Sequence, residues 1–474
     1  MKNKSGFTLI EMLGVIVVLS VIMAFALPNV INIERKLDKS NKIKINEMIY
    51  MAASRYIEAD ENMLNVISGM SNNNCNSYIS ISLNTLIDKG YLRKPIINYS
   101  NNNEIDYDLA VKITKKDDNT LNYSFPVAEL DYIPNSNNIS KIIQLPTEKI
   151  DSLILLDNGD VFANGANTNY RFGVESTSLT NYEKLNLSNI SKISSSNDFS
   201  LFLAENGSGF AVGNNSNNQM GGYISKGIEQ NIVPLSYAKD NFAIIDIAAS
   251  TNFSALVDKE GDLYVTGVNT TGQLGTGDNN NLTTYTKVAS NVKSVAAGDF
   301  SLFYIDNDNK LYATGINTNG QLGINNGNLS VNSFTFVDND VTKVDSSNVA
   351  TIYQKTDGTL YGVGKTNAGI GIISTKENIE IPTKINLGNV VDFDISGSGT
   401  LFLTKNGNLY ASGTDSSSSG QFGLANKGLT LSEPTLINTN VKEISNSSTN
   451  SMILFKNGLL KVNSKTEDFS EICF

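Results

Sequence analysis

GDLYVTGVNTTGQLG, residues 261–275, and NKLYATGINTNGQLG, residues 309–323, are two copies of one pattern. Each opens on a tight turn, passes through an apolar strand that ends in glycine (Gly267, Gly315), and closes on Gly-Gln-Leu-Gly. Working outward, the turn recurs at Asn158-Gly159, Asn206-Gly207, Glu260-Gly261, Asp308-Asn309, Asp357-Gly358, Asn406-Gly407 and Asn457-Gly458, at offsets of 48, 54, 48, 49, 49 and 51 residues. Only the fourth copy lacks glycine, and Asn309 is the side chain that best tolerates the left-handed backbone such a turn needs. Further strand-ending glycines fall at Gly165, Gly213, Gly364 and Gly413. The second signature returns at Gln219-Met220-Gly221 and Gly420-Gln421-Phe422-Gly423, with weaker forms at Arg171-Phe172-Gly173 and Gly369-Ile370-Gly371.

A unit of about 50 residues holding four short strands has the size of a propeller blade. The phrases DGTLYGVG (357–364), GDLYVTGVNTTGQLG and NKLYATGINTNGQLG resemble the repeats of the regulator of chromosome condensation family. That resemblance implies an all-β seven-bladed propeller over 131–474. With six full repeats and one truncated, the last blade is expected to lack its outermost strand. Asp131-Tyr132-Ile133-Pro134, just before a first inner strand from Ile139 to Ile143, is expected to supply it and remove an open edge.

Composition narrows the chemistry. The 474 residues contain no histidine, no tryptophan and two cysteines. A Ser-His-Asp triad, a Cys-His pair, imidazole-ligated metals and cysteine-rich clusters are therefore excluded. No nucleophile-and-base arrangement or phosphate-cradling glycine loop stands out, so no catalytic, cofactor or metal residue is assigned and no enzyme is expected. The acidic turns Asp306-Asn307-Asp308-Asn309 and Asp157-Asn158-Gly159-Asp160 offer oxygen ligands for calcium, but neither completes an EF-hand loop, and solvated hairpin turns are the expectation. Residues 135–474 carry 22 basic and 32 acidic side chains, a balance of -10 within a total of -11. Nucleic acid is not an expected partner.

The amino terminus reads MKNKSGFTLIEMLGVIVVLSVIMAFAL, and between Phe7 and Leu27 its only ionisable side chain is Glu11. Twenty-one such residues suffice to span a bilayer. The run from Lys4 to Glu11 resembles the leader junction of type IV prepilins and pseudopilins. The resemblance implies cleavage by a prepilin peptidase between Gly6 and Phe7, methylation of the new Phe7 amine, and pairing of Glu11 with the amine of a neighbouring pilin subunit. A lone carboxylate at membrane depth costs ~2.5–3.5 kcal/mol without a partner, so this pair would set register during assembly. Counting lysines and arginines alone would invert the topology, with Lys2 and Lys4 inside against Arg35, Lys36, Lys39, Lys42 and Lys44 outside. The leader motif is the stronger signal.

The expected organisation is a leader over 1–6, a membrane and filament-core helix over 7–27, and an α+β pilin module over 28–130 with a long helix continuing to about Glu61 and a small antiparallel sheet. YDLAVKITKK and TLNYSFPV, either side of Asp117, Asp118 and Asn119, read as a hairpin. Cys75 and Cys473 either pair outside the cell or stand as two free thiols. The reading of the whole chain is a minor type IV pilin, a single-pass membrane precursor before assembly. It then displays its propeller at the cell surface to bind a protein or glycan. Alternatives are a pseudopilin recruiting cargo for a secretion or DNA-uptake machine, and a pilus-borne enzyme.

Overall fold

The computed structural model describes residues 44–69, 78–98, 103–124, 139–144, 151–235, 243–415, 421–422, 429–456, 460–463 and 470–472, apart from 46, 106, 108–109, 116–119 and 448. The chain divides into two compact units, Met1–Ile133 and Pro134–Phe474.

In the first unit a helix over 47–59 buries Ile49, Ala52, Ala53, Tyr56 and Ile57, which recur at helical spacing along one face. The helical backbone breaks at Asp60, next to the end expected at about Glu61. Asp60 Oδ1 accepts the N–H of Met63 at 3.3 Å, the capping contact with which a second helix, Glu61–Ser68, begins. A three-stranded antiparallel sheet pairs Tyr78–Ser82 with Ala110–Lys115 and the latter with Leu121–Ser124, so the hairpin read from the sequence is present. Ser82 then caps the short helix Leu83–Asp88 by accepting from the N–H of Thr85 at 3.1 Å. Ile79, Ile81, Val111 and Ile113 join the helical residues in one core.

The second unit is an all-β propeller. Its inner strands are Ile139–Gln144, Ile190–Ser195, Ile244–Ala249, Val292–Ala297, Val341–Ser346, Val390–Ile395 and Val441–Asn446, and each starts a four-stranded antiparallel sheet. Within the third sheet, for example, the order is Ile244–Ala249, Phe253–Asp258, Leu263–Gly267, Leu282–Ala289. The first six sheets are full blades with outer strands of seven to nine residues. The seventh is reduced, ending in strands of four and three residues, Leu460–Asn463 and Ser470–Ile472.

The sequence expectation of seven blades is therefore corrected to six full blades and a small seventh sheet. The expectation that the last blade lacks its outermost strand is corrected as well. The outer strand of the last sheet comes from its own repeat, with Leu460 opposite Ile472 and Val462 opposite Ser470. The closing strand expected from Asp131-Tyr132-Ile133-Pro134 lies outside the described residues. Among the described residues, side chains join the last sheet to the first: Lys442 Nζ donates to the carbonyl of Ile139 at 2.9 Å, and Lys141 pairs with Glu443 at 2.5 Å.

Alternation explains the packing. A blade presents apolar side chains to both neighbours, and the core lies between blades. Leu153, Val161 and Phe172 of the first meet Ile193 and Phe202 of the second, and Val257, Leu263 and Leu274 of the third meet Val295 and Leu302 of the fourth. Every inner strand carries a bulge at its second residue, between Ile190 and Lys192 in the second blade and between Val390 and Asp392 in the sixth.

Candidate functional site

Four antiparallel strands place the turns between first and second strands, and the long connections between third and fourth, at one end of the propeller. The Gly-Gln-Leu-Gly signature lies in those long connections, and its role there is to hold them. In four blades an asparagine sits four residues before the Gln or its substitute. Asn269 Oδ1 accepts the N–H of Leu274 at 2.8 Å, while its Nδ2 donates to Thr276 Oγ1 and the carbonyl of Asp278. Asn167, Asn215 and Asn317 receive Phe172, Met220 and Leu322 in the same way at 2.8–2.9 Å. In the sixth blade Asp415 accepts from Phe422 at 3.2 Å. Gln219, Gln273 and Gln321 then turn back, each accepting the N–H two residues earlier at 2.8–2.9 Å. The sequence reading caught the Gln and missed the asparagine, although the spacing Asn-x-x-x-Gln was there to find.

The first blade departs from this pattern. Arg171 takes the Gln position, and Asp151 stands where Phe199 and Phe253 open the second strands of the next two blades. Both side chains are 1% exposed and 2.7 Å apart. Arg171 also donates to the carbonyls of Ala166 and Asn197 at 2.8 and 2.9 Å, and Asp151 Oδ1 accepts the N–H of Ala166 at 2.6 Å. Burial pulls Arg171 below its ordinary value in spite of the carboxylate beside it.

Around the axis, the residue after each bulge carries polar chemistry. Lys141, Lys192, Asp246, Ser294, Lys343, Asp392 and Glu443 occupy this place in the seven inner strands. Asp392 pairs with Lys343 and, at 3.0 Å, with Lys141, which also holds Glu443; Lys192 pairs with Asp246. Burial pushes Asp392 up, but the two ammonium groups outweigh it and hold the carboxyl below its usual range. Burial likewise opposes the charge on Lys141, yet Asp392 and Glu443 keep it above its ordinary value. For Glu443 burial prevails over Lys141 and the carboxyl is raised. This is a paired network that ties the first, fifth, sixth and seventh sheets together.

The candidate calcium turns are satisfied internally. Asp306 Oδ1 accepts the N–H groups of Asp308 and Lys310, while Asn158 donates to Asp160, which Lys184 also holds. Among the described residues no group of three or more Asp, Glu or Cys is arranged to hold a metal. Gly6, Phe7, Glu11, Cys75 and Cys473 lie outside the described residues, as does the apolar run over 7–27; no helix among the described residues is long and apolar enough to cross a membrane. Some of the exposed large apolar side chains lie at the long-connection end, spread over the second, fourth, fifth and sixth blades: Tyr223, Phe300, Leu329, Ile373 and Leu429.

Residues 1–27 match the prokaryotic N-terminal methylation motif, and residues 292–321 match the regulator of chromosome condensation (RCC1) repeat. No curated protein matches the chain. Among solved structures, human WBSCR16 superposes with a TM-score of 0.59 at 16% identity, over 69% of this chain and 87% of that one. Yeast RCC1 (Prp20) bound to Kap60 gives 0.58 at 17% identity, over 73% and 84%. Prp20p from Saccharomyces cerevisiae, in a structure described with its binding to Gsp1p and histones, gives 0.58 at 18%, over 69% and 82%. Such identities show a shared fold and nothing of partners. The chain thus joins a prepilin-like amino terminus to a propeller built of RCC1-like repeats.

Proposed function

We propose that the chain is a minor, non-catalytic pilin subunit that displays its propeller at the cell surface as a binding module for a protein or glycan. The observation that carries the reading is the coexistence of a methylation motif over 1–27 with a propeller whose long connections are held by buried Asn and Gln side chains. A prepilin peptidase would release Phe7, and the helix behind it would enter a filament with other pilin subunits. Bulk argues for a sparse place. A body of about 340 residues has a radius of gyration of ~20 Å, against a helix ~10–12 Å across, and cannot crowd every subunit of a tight filament. Exposed Tyr223, Phe300 and Ile373 are suited to contact, and where a loop is held by internal hydrogen bonds, as Tyr223's is by Asn215, less ordering entropy remains to be lost on binding.

Sheared filaments test this. Their peptide analysis should find this chain beginning at methylated Phe7. Cells whose protein carries Tyr223→Ser, Phe300→Ser and Ile373→Ser should make normal filaments and lose attachment to the surfaces the parent cells colonise. A chain that never appears in filaments, or attachment unchanged in the triple variant, refutes the proposal.

A further inference from the structure

Two carboxylates occupy matching places on neighbouring inner strands, Asp345 as the fifth residue of Val341–Ser346 and Asp394 as the fifth of Val390–Ile395. Each reaches into the next sheet. Asp345 Oδ2 accepts the N–H of Ile395 at 2.9 Å, and its Oδ1 accepts that of Ser346 at 3.0 Å. Asp394 Oδ2 accepts the N–H of Asn446 at 2.9 Å and the hydroxyl of Ser445 at 3.3 Å. Because Asp345 is bonded to the peptide directly after Asp394, the two acids are neighbours in one seam joining the fifth, sixth and seventh sheets.

Two other seams are built differently. Between the second and third sheets the acceptor is neutral, Ser194 Oγ for the N–H of Ala249 at 2.8 Å. Between the third and fourth it is Asp246, which receives Val295 at 2.9 Å and is ion-paired with Lys192. Among the described residues neither Asp345 nor Asp394 has an ion pair. The cations that face them are Lys343 from the fifth sheet and Lys141 from the first, and both are engaged by Asp392 and Glu443. Two ammonium groups are thus already matched by two carboxylates before Asp345 and Asp394 are counted.

We propose that Asp345 and Asp394 share one proton at neutral pH, and that this proton closes the seam, giving the propeller a latch that loosens in alkali. The cross-sheet hydrogen bonds remain when one acid is protonated, whereas two bare carboxylates in one buried seam repel. Burial, and then the charge of Asp345, push Asp394 up to about 8, and burial raises Asp345. Both acids lie above the ordinary carboxyl range in the folded chain. Their contribution to stability is therefore full in acid, below the unfolded-state value, and is lost as pH rises through about 8.

Hydrogen exchange of the full-length chain in detergent, read by mass spectrometry at pH 6 and pH 9 and corrected for intrinsic base catalysis, tests the latch. Peptides covering 341–346, 390–395 and 441–446 should open roughly a hundredfold more at the higher pH, the effect of about two units of linkage between pH 6 and the value near 8. Peptides covering 190–195 and 244–249 should not change. Asp394→Asn keeps an oxygen for Asn446 and removes a charge, so it should abolish the difference; Asp345→Asn should do the same and serves where the first variant folds poorly. An equal response in all inner strands, or a pH response surviving both substitutions, overturns the proposal.

Discussion

Replacing Asp151 with alanine removes the one carboxylate among the described residues that is bonded to the Arg171 guanidinium, which is 1% exposed, and orphans the N–H of Ala166 as well. Breaking a buried pair from one side costs ~3–5 kcal/mol, because the remaining charge stays desolvated. Arg171→Gln leaves Asp151 in the same position and should cost a similar amount. The neighbouring blades show the remedy. Phe199 with Gln219, and Phe253 with Gln273, fill the equivalent places without charge, all four side chains fully buried or nearly so. A large cation with a small acid and a small amide with a large ring occupy comparable volume, so Asp151→Phe combined with Arg171→Gln should fall within ~1.5 kcal/mol of the parent. The chain lacks tryptophan, so urea unfolding is best followed by far-ultraviolet circular dichroism. At a slope of ~3 kcal/mol per molar urea, each single variant should shift the midpoint down by about 1 M or more. The double variant should recover most of it, a strong non-additivity. Single variants that unfold with the parent, or a double variant as damaged as the sum of both, would show that the pair is not what holds the first blade.

Two further outcomes follow from geometry and from the leader. Gly267 and Gly358 share a left-handed backbone, φ +109° and +83°, but a Cβ on Gly267 would stand 2.4 Å from the carbonyl of Asn252 while one on Gly358 meets nothing within 4 Å. Thermal unfolding should therefore separate Gly267→Ala, severely destabilised, from Gly358→Ala, which pays only the backbone strain of ~1 kcal/mol. Glu11→Ala should be cleaved and inserted normally, since it makes the span more apolar, yet enter sheared filaments poorly; immunoblots showing normal incorporation would remove Glu11 from register setting.

The propeller was legible because its devices are local. The turn at Asn158-Gly159 and its successors, and the glycines ending the third strands, answer to backbone geometry that only a few residue types satisfy, so they recur visibly. The asparagines at 167, 215, 269 and 317 obey an equally local rule, but asparagine is so common in this chain that the spacing did not stand out. The last strand of the seventh sheet was missed for a different reason. Ser470–Ile472 lies in a short polar stretch, SKTEDFSEI, whose strand character comes from pairing with Leu460–Asn463 rather than from its own alternation. The charge network of Lys141, Lys343, Asp392 and Glu443 was illegible in principle, since its members are up to 302 residues apart and meet only when the ring is closed.

Each sheet of the propeller is drawn from one contiguous stretch of chain, the last included. During synthesis a blade can therefore complete its own backbone pairing as soon as its roughly 50 residues have emerged, without waiting for a distant segment to return. The joins of the seventh sheet, to the sixth through Asp394 on Asn446 and to the first through Lys442 on Ile139 and Lys141 on Glu443, must wait for the final repeat. Whole repeats can also be gained or lost by recombination without stranding half a blade, and the cost of such an event falls on the joins between sheets rather than on the pairing within them.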